Sequence, residues 1–295
     1  MIKKLLSIAV LLTSLAANAQ EKITVQWAFS PSSTSANSVR VICDELNKMQ
    51  NKYTFLFSNK PGAGGTIAAN AVTASPENTL VAMSSSFIVR PYFEKTEPTH
   101  NLDNFVPVLV QGIGSPLSIA SAKHTTMAEV YANPKLTIGV SGVGSIGHLT
   151  ANEITNVNKT ATIANFKSNI EAATAVAGGH VDISVTFASD VAPFVESNKL
   201  AVLGRTGPGT QLKQIPDAEK LAANYAIFAS TAMSADRFKE LHQLLATVNA
   251  SPAVVNSYKS DQLHPVALNI DQSRAWYTNE RAFWKKQVDK ISKTK

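Results

Sequence analysis

The sequence predicts an α/β fold in which a parallel sheet is covered by helices. Three observations carry this. Short β-rich runs alternate with stretches of helical periodicity, and small polar residues gather where one gives way to the other. With 44% hydrophobic and 16% charged positions over 295 residues, the chain also has enough apolar surface to bury a full core. That length suits two modest domains or one large one.

The first 19 residues read as an export signal: Lys3 and Lys4, an apolar run over 5–15, then Ala17-Asn18-Ala19 ahead of Gln20. A membrane-spanning helix needs about 20 apolar residues, and this run is shorter. Cleavage between Ala19 and Gln20 and a periplasmic mature chain are the expectation. No cysteine stands at the cleavage point to carry a lipid. No later segment is long and apolar enough to span a bilayer.

Residues 22–27 alternate as a strand does, and Val39, Ile42, Cys43, Leu46 and Met49 then recur at helical spacing. Further strands are expected at 53–58, 79–83, 135–140, 161–164, 181–185 and 200–203. From Arg237 onward the pattern is mainly helical, and it ends in Trp276, Tyr277, Phe283, Trp284, Val288 and Ile291 among charges. That aromatic stripe reads as helix packing rather than a ligand cage.

Twenty-seven Lys and Arg against 21 Asp and Glu give a net charge of +6, scattered from end to end, so no nucleic-acid footprint is expected. The single cysteine, Cys43, lies on the apolar stripe of the first helix and reads as a buried structural thiol. One cysteine excludes an internal disulfide framework and a multi-cysteine metal site. No metal-ligating motif and no paired-carboxylate motif is present.

The strand-to-helix junctions share one chemistry. Ser30-Pro31-Ser32-Ser33-Thr34-Ser35, Ser84-Ser85-Ser86, residues 141–147, residues 165–169 and residues 186–190 all offer hydroxyls, small side chains and helix N-terminal amides. In an open α/β sheet these junctions lie at the carboxyl ends of the strands, where ligands bind, and such a setting holds an anion without a formal positive charge. Plain N-capping favours the same residues at any one junction. Repetition over several junctions points to a polar cleft.

Gly142-Val143-Gly144-Ser145-Ile146-Gly147 fits GxGxxG after a strand and before a helix. The next strand ends in Asn165 and Phe166, with no acid for a ribose hydroxyl, so a dinucleotide site is not expected. Here the glycines would let the backbone approach a small anion. Ser145, His148 and Asp182 also invite a hydrolase reading. However, Ser145 does not sit in a GxSxG elbow, and His148 reads as a packing or capping residue at the helix start.

Asn59-Lys60-Pro61-Gly62-Ala63-Gly64-Gly65-Thr66-Ile67-Ala68-Ala69 resembles the NxPGAGGxxGA segment of the extracytoplasmic solute receptors of tripartite tricarboxylate transporters, also called Bug receptors. Phe105-Val106-Pro107-Val108 is similar to their FxPV segment, residues 141–149 to their SxGxGSxxHL loop, and Gly179-His180-Val181-Asp182 to their GxVD. These follow in family order. The first junction departs from the family's FxxGGxxDxxAR: from Phe29 to Arg40, Ser32 and Ser33 replace two glycines and Ala36 replaces the aspartate. Asn165-Phe166-Lys167-Ser168 stands for PYKG, Pro76-Glu77-Asn78-Thr79-Leu80 for PDGYTL, and the region after Arg205 follows the family only loosely.

The resemblance implies a two-lobed periplasmic binding protein, type II-like, with the ligand cleft between lobes. Lobe one would comprise 20–122 and 226–295, and lobe two 123–225. It further implies that a small carboxylic acid is gripped by loop amides and hydroxyls. Ser30, Ser32, Ser33, Thr34, Ser35, Ser85 and Ser86 would line the cleft from lobe one, and Ser141, Gly144, Ser145, Lys167 and Ser189 from lobe two. Gly62, Gly64 and Gly65 would shape a turn and a close helix approach. The implied partner is a membrane permease of one small and one large subunit, served by a monomeric receptor with no cofactor, metal or catalytic residue. A receptor for a sensor or another transporter class, and a secreted serine hydrolase, are the alternative readings.

Overall fold

The structure, a computed structural model, describes residues 20–29, 31–62, 65–93 and 99–292. The leader and its cleavage site lie outside the described residues, except Gln20. The chain opens with β1 (Glu21–Trp27), α1 (Thr34–Met49), β2 (Tyr53–Asn59), α2 (Thr66–Ala74), β3 (Thr79–Ser84) and α3 (Ser86–Phe93). The three strands run parallel in the order β2-β1-β3. Helix α1 forms where Val39, Ile42, Cys43 and Leu46 fall on one face and are all buried. Burial pushes the Cys43 thiol up to about 12, which makes it an inert core group as expected.

Strand β4 (Phe105–Ser121) is 17 residues long and serves both halves of the molecule. Its residues 105–116 pair antiparallel with β9 (Ala222–Ser230), whose other edge pairs with β3. From Leu117 to Ser121 it pairs antiparallel with β7 (Ile183–Phe187), and over nearly the same stretch with β8 (Ala201–Arg205). Between these come α4 (Met127–Ala132), β5 (Thr137–Val140), α5 (Ile146–Val157), β6 (Thr162–Asn165) and α6 (Asn169–Ala177), with α7 (Ala188–Glu196) following β7. Strands β7, β5 and β6 are parallel to one another. The result is two lobes, each built on a parallel sheet, joined through long antiparallel strands.

The chain returns to the first lobe through α8 (Ala235–Asn249), α9 (Pro252–Ser257), the short β10 (His264–Pro265) on β4, and α10 (Ile270–Ser292). Helix α10 packs on α3 and β4 and also reaches α5 of the other lobe. Tyr277, Trp284, Val288 and Ile291 form its buried face, so the aromatic stripe is indeed helix packing. Among the described residues no helix is long and apolar enough to cross a membrane.

Candidate functional site

In both lobes the parallel strands deliver the chain to helix N-termini at their carboxyl ends, and the described ones among the predicted residues lie at these junctions. After β1, Ser33 caps α1, its hydroxyl accepting from Ala36 N at 3.3 Å. Arg40 pins the loop from behind: Nη2 donates to Pro31 O at 2.7 Å while the guanidinium lies 4.2 Å from the Phe57 ring centre. Ser32 is exposed. Ser30, Gly64 and the Thr34 side chain lie outside the described residues. In the glycine-rich turn before α2, Gly62 and Gly65 have φ of 130° and 100°.

After β3, Ser85 is buried and fully engaged. Its hydroxyl accepts from Asn224 N at 3.0 Å and donates toward Glu280 Oε2 at 3.2 Å. Glu280 also accepts from Trp284 Nε1 at 2.8 Å, and burial holds its carboxyl above the usual range. Ser86 begins α3 and is buried. Pro91 inside α3 has no N–H for the Phe87 carbonyl, and His100 Nε2 meets that oxygen at 2.7 Å instead. Burial brings His100 down to about 4, which keeps its ring neutral, stacked on Phe87 at 4.1 Å.

In lobe two, Ser145 caps α5. Its hydroxyl accepts from His148 N at 3.0 Å and donates to Gly142 O at 2.9 Å. Gly144 N donates to His148 Nδ1 at 3.4 Å. His148 is therefore the packing and capping residue expected, and its ring sits 4.9 Å from that of Phe93. Gly144 has φ of 77°, and a Cβ on Gly147 would come within 2.4 Å of Val185 O. The glycines thus serve a tight turn and a close helix–strand approach. Ser141 is half-buried at the end of β5. Ser168 caps α6, while Lys167 is exposed and its amide donates to Glu171 Oε2 at 3.1 Å. Ser189 lies half-buried in the first turn of α7.

The seam joins Ser35, a residue the sequence points to, with Tyr225 and Phe187, which it does not single out. Tyr225 of β9 is buried between Trp27, stacked at 6.5 Å, and Phe187, tilted at 6.2 Å. Ser35 Oγ hydrogen-bonds the Tyr225 hydroxyl at 2.9 Å. Asp190 of α7 is buried nearby, accepting from Asn169 Nδ2 at 2.9 Å. Burial, with a smaller contribution from the Asp261 charge, pushes Asp190 up to about 6. Asp190 lies in a junction the sequence marked, one residue beyond Ser189; Trp27 is the last residue of the first predicted strand. The structure thus gathers Ser35, Asp190 and Tyr225 at the seam and the 141–145 loop against α3. Ser85 stands on Asn224 and Glu280, and Lys167 faces solvent.

A concavity of about 650 Å³ runs beside this region, along α5 and β6, with Val143, His148, Asn152, Asn165 and Ile291 in its wall. Another of about 580 Å³ lies in lobe one between α8 and α10, remote from the junctions. Among the described residues no group of three or more His, Cys, Asp or Glu is placed to hold a metal ion.

A family model described as "Tripartite tricarboxylate transporter family receptor" matches residues 38–292. No curated protein sequence matches the chain. Among solved structures, an R. palustris protein solved with adipate shares 19% identity over 93% of this chain and 98% of its own, with a TM-score of 0.80. The periplasmic binding protein BugD shares 18% over 92% and 98%, with a TM-score of 0.76. MatC from Rhodopseudomonas palustris, solved with bound malate, shares 16% over 91% and 99%, with a TM-score of 0.77. These likenesses bear on the fold: two α/β lobes of the periplasmic binding-protein type. With the family model spanning most of its length, the chain belongs to the tripartite tricarboxylate transporter receptor family.

Proposed function

We propose that this chain is an exported receptor that holds a small carboxylic acid between its lobes and delivers it to a membrane permease. One observation carries the reading. Two serine-capped helix N-termini, α1 behind Ser33 and α5 behind Ser145, stand at the carboxyl ends of β1 and β5 in opposite lobes. Helix N-terminal amides hold an anion without a buried cation. Family membership supports the class of ligand, as do two structurally similar proteins solved with adipate and malate.

The site comprises Ser30, Ser32, Ser33, Thr34, Ser35, Ser85 and Ser86 of lobe one with Ser141, Gly144, Ser145, Lys167 and Ser189 of lobe two. Lobe one is 20–122 with 226–295, lobe two 123–225, and the crossings near Ala122 and Tyr225 act as the hinge. Because a ligand shifts an open–closed equilibrium only by its differential affinity, the acid must touch both lobes. The chain is a monomer, matures by cleavage between Ala19 and Gln20, and serves a permease of one small and one large subunit. It performs no catalysis: the Ser145 hydroxyl is engaged by Gly142 O and His148 N, and Asp182 is tied to Lys123 and Thr137.

A thermal-shift panel of mono-, di- and tricarboxylates including adipate and malate, followed by calorimetric titration, tests the reading, since a native-state ligand raises the melting temperature. At least one acid should bind with one-to-one stoichiometry. A panel in which no acid shifts melting would overturn it.

A further inference from the structure

We propose that Arg90 is a clasp between the lobes, a positioning residue that holds the 141–145 loop of lobe two against α3 of lobe one and so sets how readily the cleft stays closed. The proposal rests on the reading of a ligand cleft between the lobes. Arg90 Nη1 donates to Val143 O at 2.9 Å, joining residues 53 apart in sequence across the two lobes. The loop comes close enough that a Cβ on Gly144 would lie 3.2 Å from Arg90 Cα and 3.3 Å from its Cγ. A Cβ there would press on Arg90 by a few tenths of an ångström, and the φ of 77° itself favours glycine.

Arg90 does not act alone on its helix. Phe93, three residues on and hence on the same face, puts its ring 4.9 Å from His148, whose Nδ1 accepts the Gly144 amide at 3.4 Å. One face of α3 therefore touches the loop through Arg90 and the N-terminus of α5 through Phe93. The helix is firmly founded: His100 takes the carbonyl that Pro91 leaves without a donor. The same helix begins at the Ser85 junction, and the same loop contains Ser141, Gly144 and Ser145. The clasp thus couples one set of site residues to the other.

The test is the distance between nitroxide labels on Lys48→Cys in lobe one and Lys199→Cys in lobe two, both exposed positions. Cys43 stays unlabelled, being buried with its thiol pushed up to about 12. Arg90→Met keeps the stem but removes the donor, and loss of one hydrogen bond weakened by its exposure to solvent predicts a roughly two- to twelve-fold rise in the long-distance, open population. Gly144→Ala presses on the same contact from the other lobe and should shift the distribution the same way. Arg90→Lys, which restores a cationic donor, should recover part of the short-distance population at an unchanged melting temperature.

A distribution for Arg90→Met identical to that of the parent overturns the clasp, even if Gly144→Ala moves. The measurement needs no ligand, so the two readings fail separately. Acid binding with an unmoved Arg90→Met distribution removes the clasp alone. A moved distribution in a protein that binds no acid removes the carboxylate reading and leaves the clasp standing.

Discussion

Phe187, the last residue of β7, faces Tyr225 of β9 with ring centroids 6.2 Å apart, which sets a ring from the end of β7 against the strand that pairs with β3. On its other side Tyr225 stacks on Trp27 at 6.5 Å with planes 17° apart. Trp27 is thus the one of three tryptophans placed at this seam, whereas Trp284 is buried on α10 against Glu280. Binding of an acid that raises the melting temperature should change tryptophan emission through Trp27. Trp27→Phe should silence the response while calorimetry still detects binding. A full response from the variant would place the motion elsewhere.

Gly147 is the third glycine of the GxGxxG segment, and its role is steric. A methyl group there would lie 2.4 Å from the Val185 carbonyl oxygen, a backbone atom inside a paired strand. Gly147→Ala should therefore cost about 1–3 kcal/mol or more, a fall of about 2–4 °C in melting temperature per kcal/mol. Val185→Ala would not relieve it, because the clash is with backbone. A fully stable Gly147→Ala protein would show that α5 can slide on β7.

The parallel strands and their helices were legible because each lies in a local stretch of 10–20 residues with its own period. Strands β4 and β9 were not. Pro107, Gly112, Gly114 and Pro116 break the pattern of β4, and its register with β9 shifts between Pro107 and Leu109 and twice more between Val110 and Ser115. Its partner arrives more than 100 residues later, beyond any local signal. The site divides in the same way. Caps such as Ser33, Ser145 and Ser168 follow from local chemistry, but Tyr225, Phe187 and Arg90 gain their places only when distant segments come together.

Ser145 separates capping from anion recognition. Since its hydroxyl already bonds His148 N and Gly142 O, Ser145→Ala should cost about 0.5–2 kcal/mol of stability and leave acid affinity nearly intact. Ser145→Asp keeps a cap and suits the positive helix end, but it sets a negative charge where the ligand's carboxylate would lie. Affinity should fall about ten- to 150-fold, the equivalent of one charge-assisted hydrogen bond, with repulsion adding to the loss. Denaturation and titration of the two variants should therefore give opposite orders. Unchanged binding by a well-folded Ser145→Asp protein would remove this loop from the site.

Asp190 should reveal itself through pH. Burial raises its carboxyl from the ordinary value of 3.8 to about 6, the Asp261 charge adds to this, and the Asn169 hydrogen bond opposes it. Between about pH 4 and pH 6 the folded protein keeps a proton on Asp190 that the unfolded chain has lost. Stability contributed by this group accordingly falls as pH rises through that window and is flat above it. The difference of about two pH units sets an upper bound of about 3 kcal/mol at neutral pH. Asp190→Asn still offers an oxygen to Asn169 and cannot ionise, so it should match the parent near pH 4 and exceed it in stability above pH 6.5. Subtracting the two urea-denaturation profiles cancels the titrating groups that do not interact with Asp190. A difference that does not grow with pH would mean that Asp190 reaches solvent in the folded protein. A growing difference would show that the ionised Asp190 carboxylate is destabilising in the folded protein.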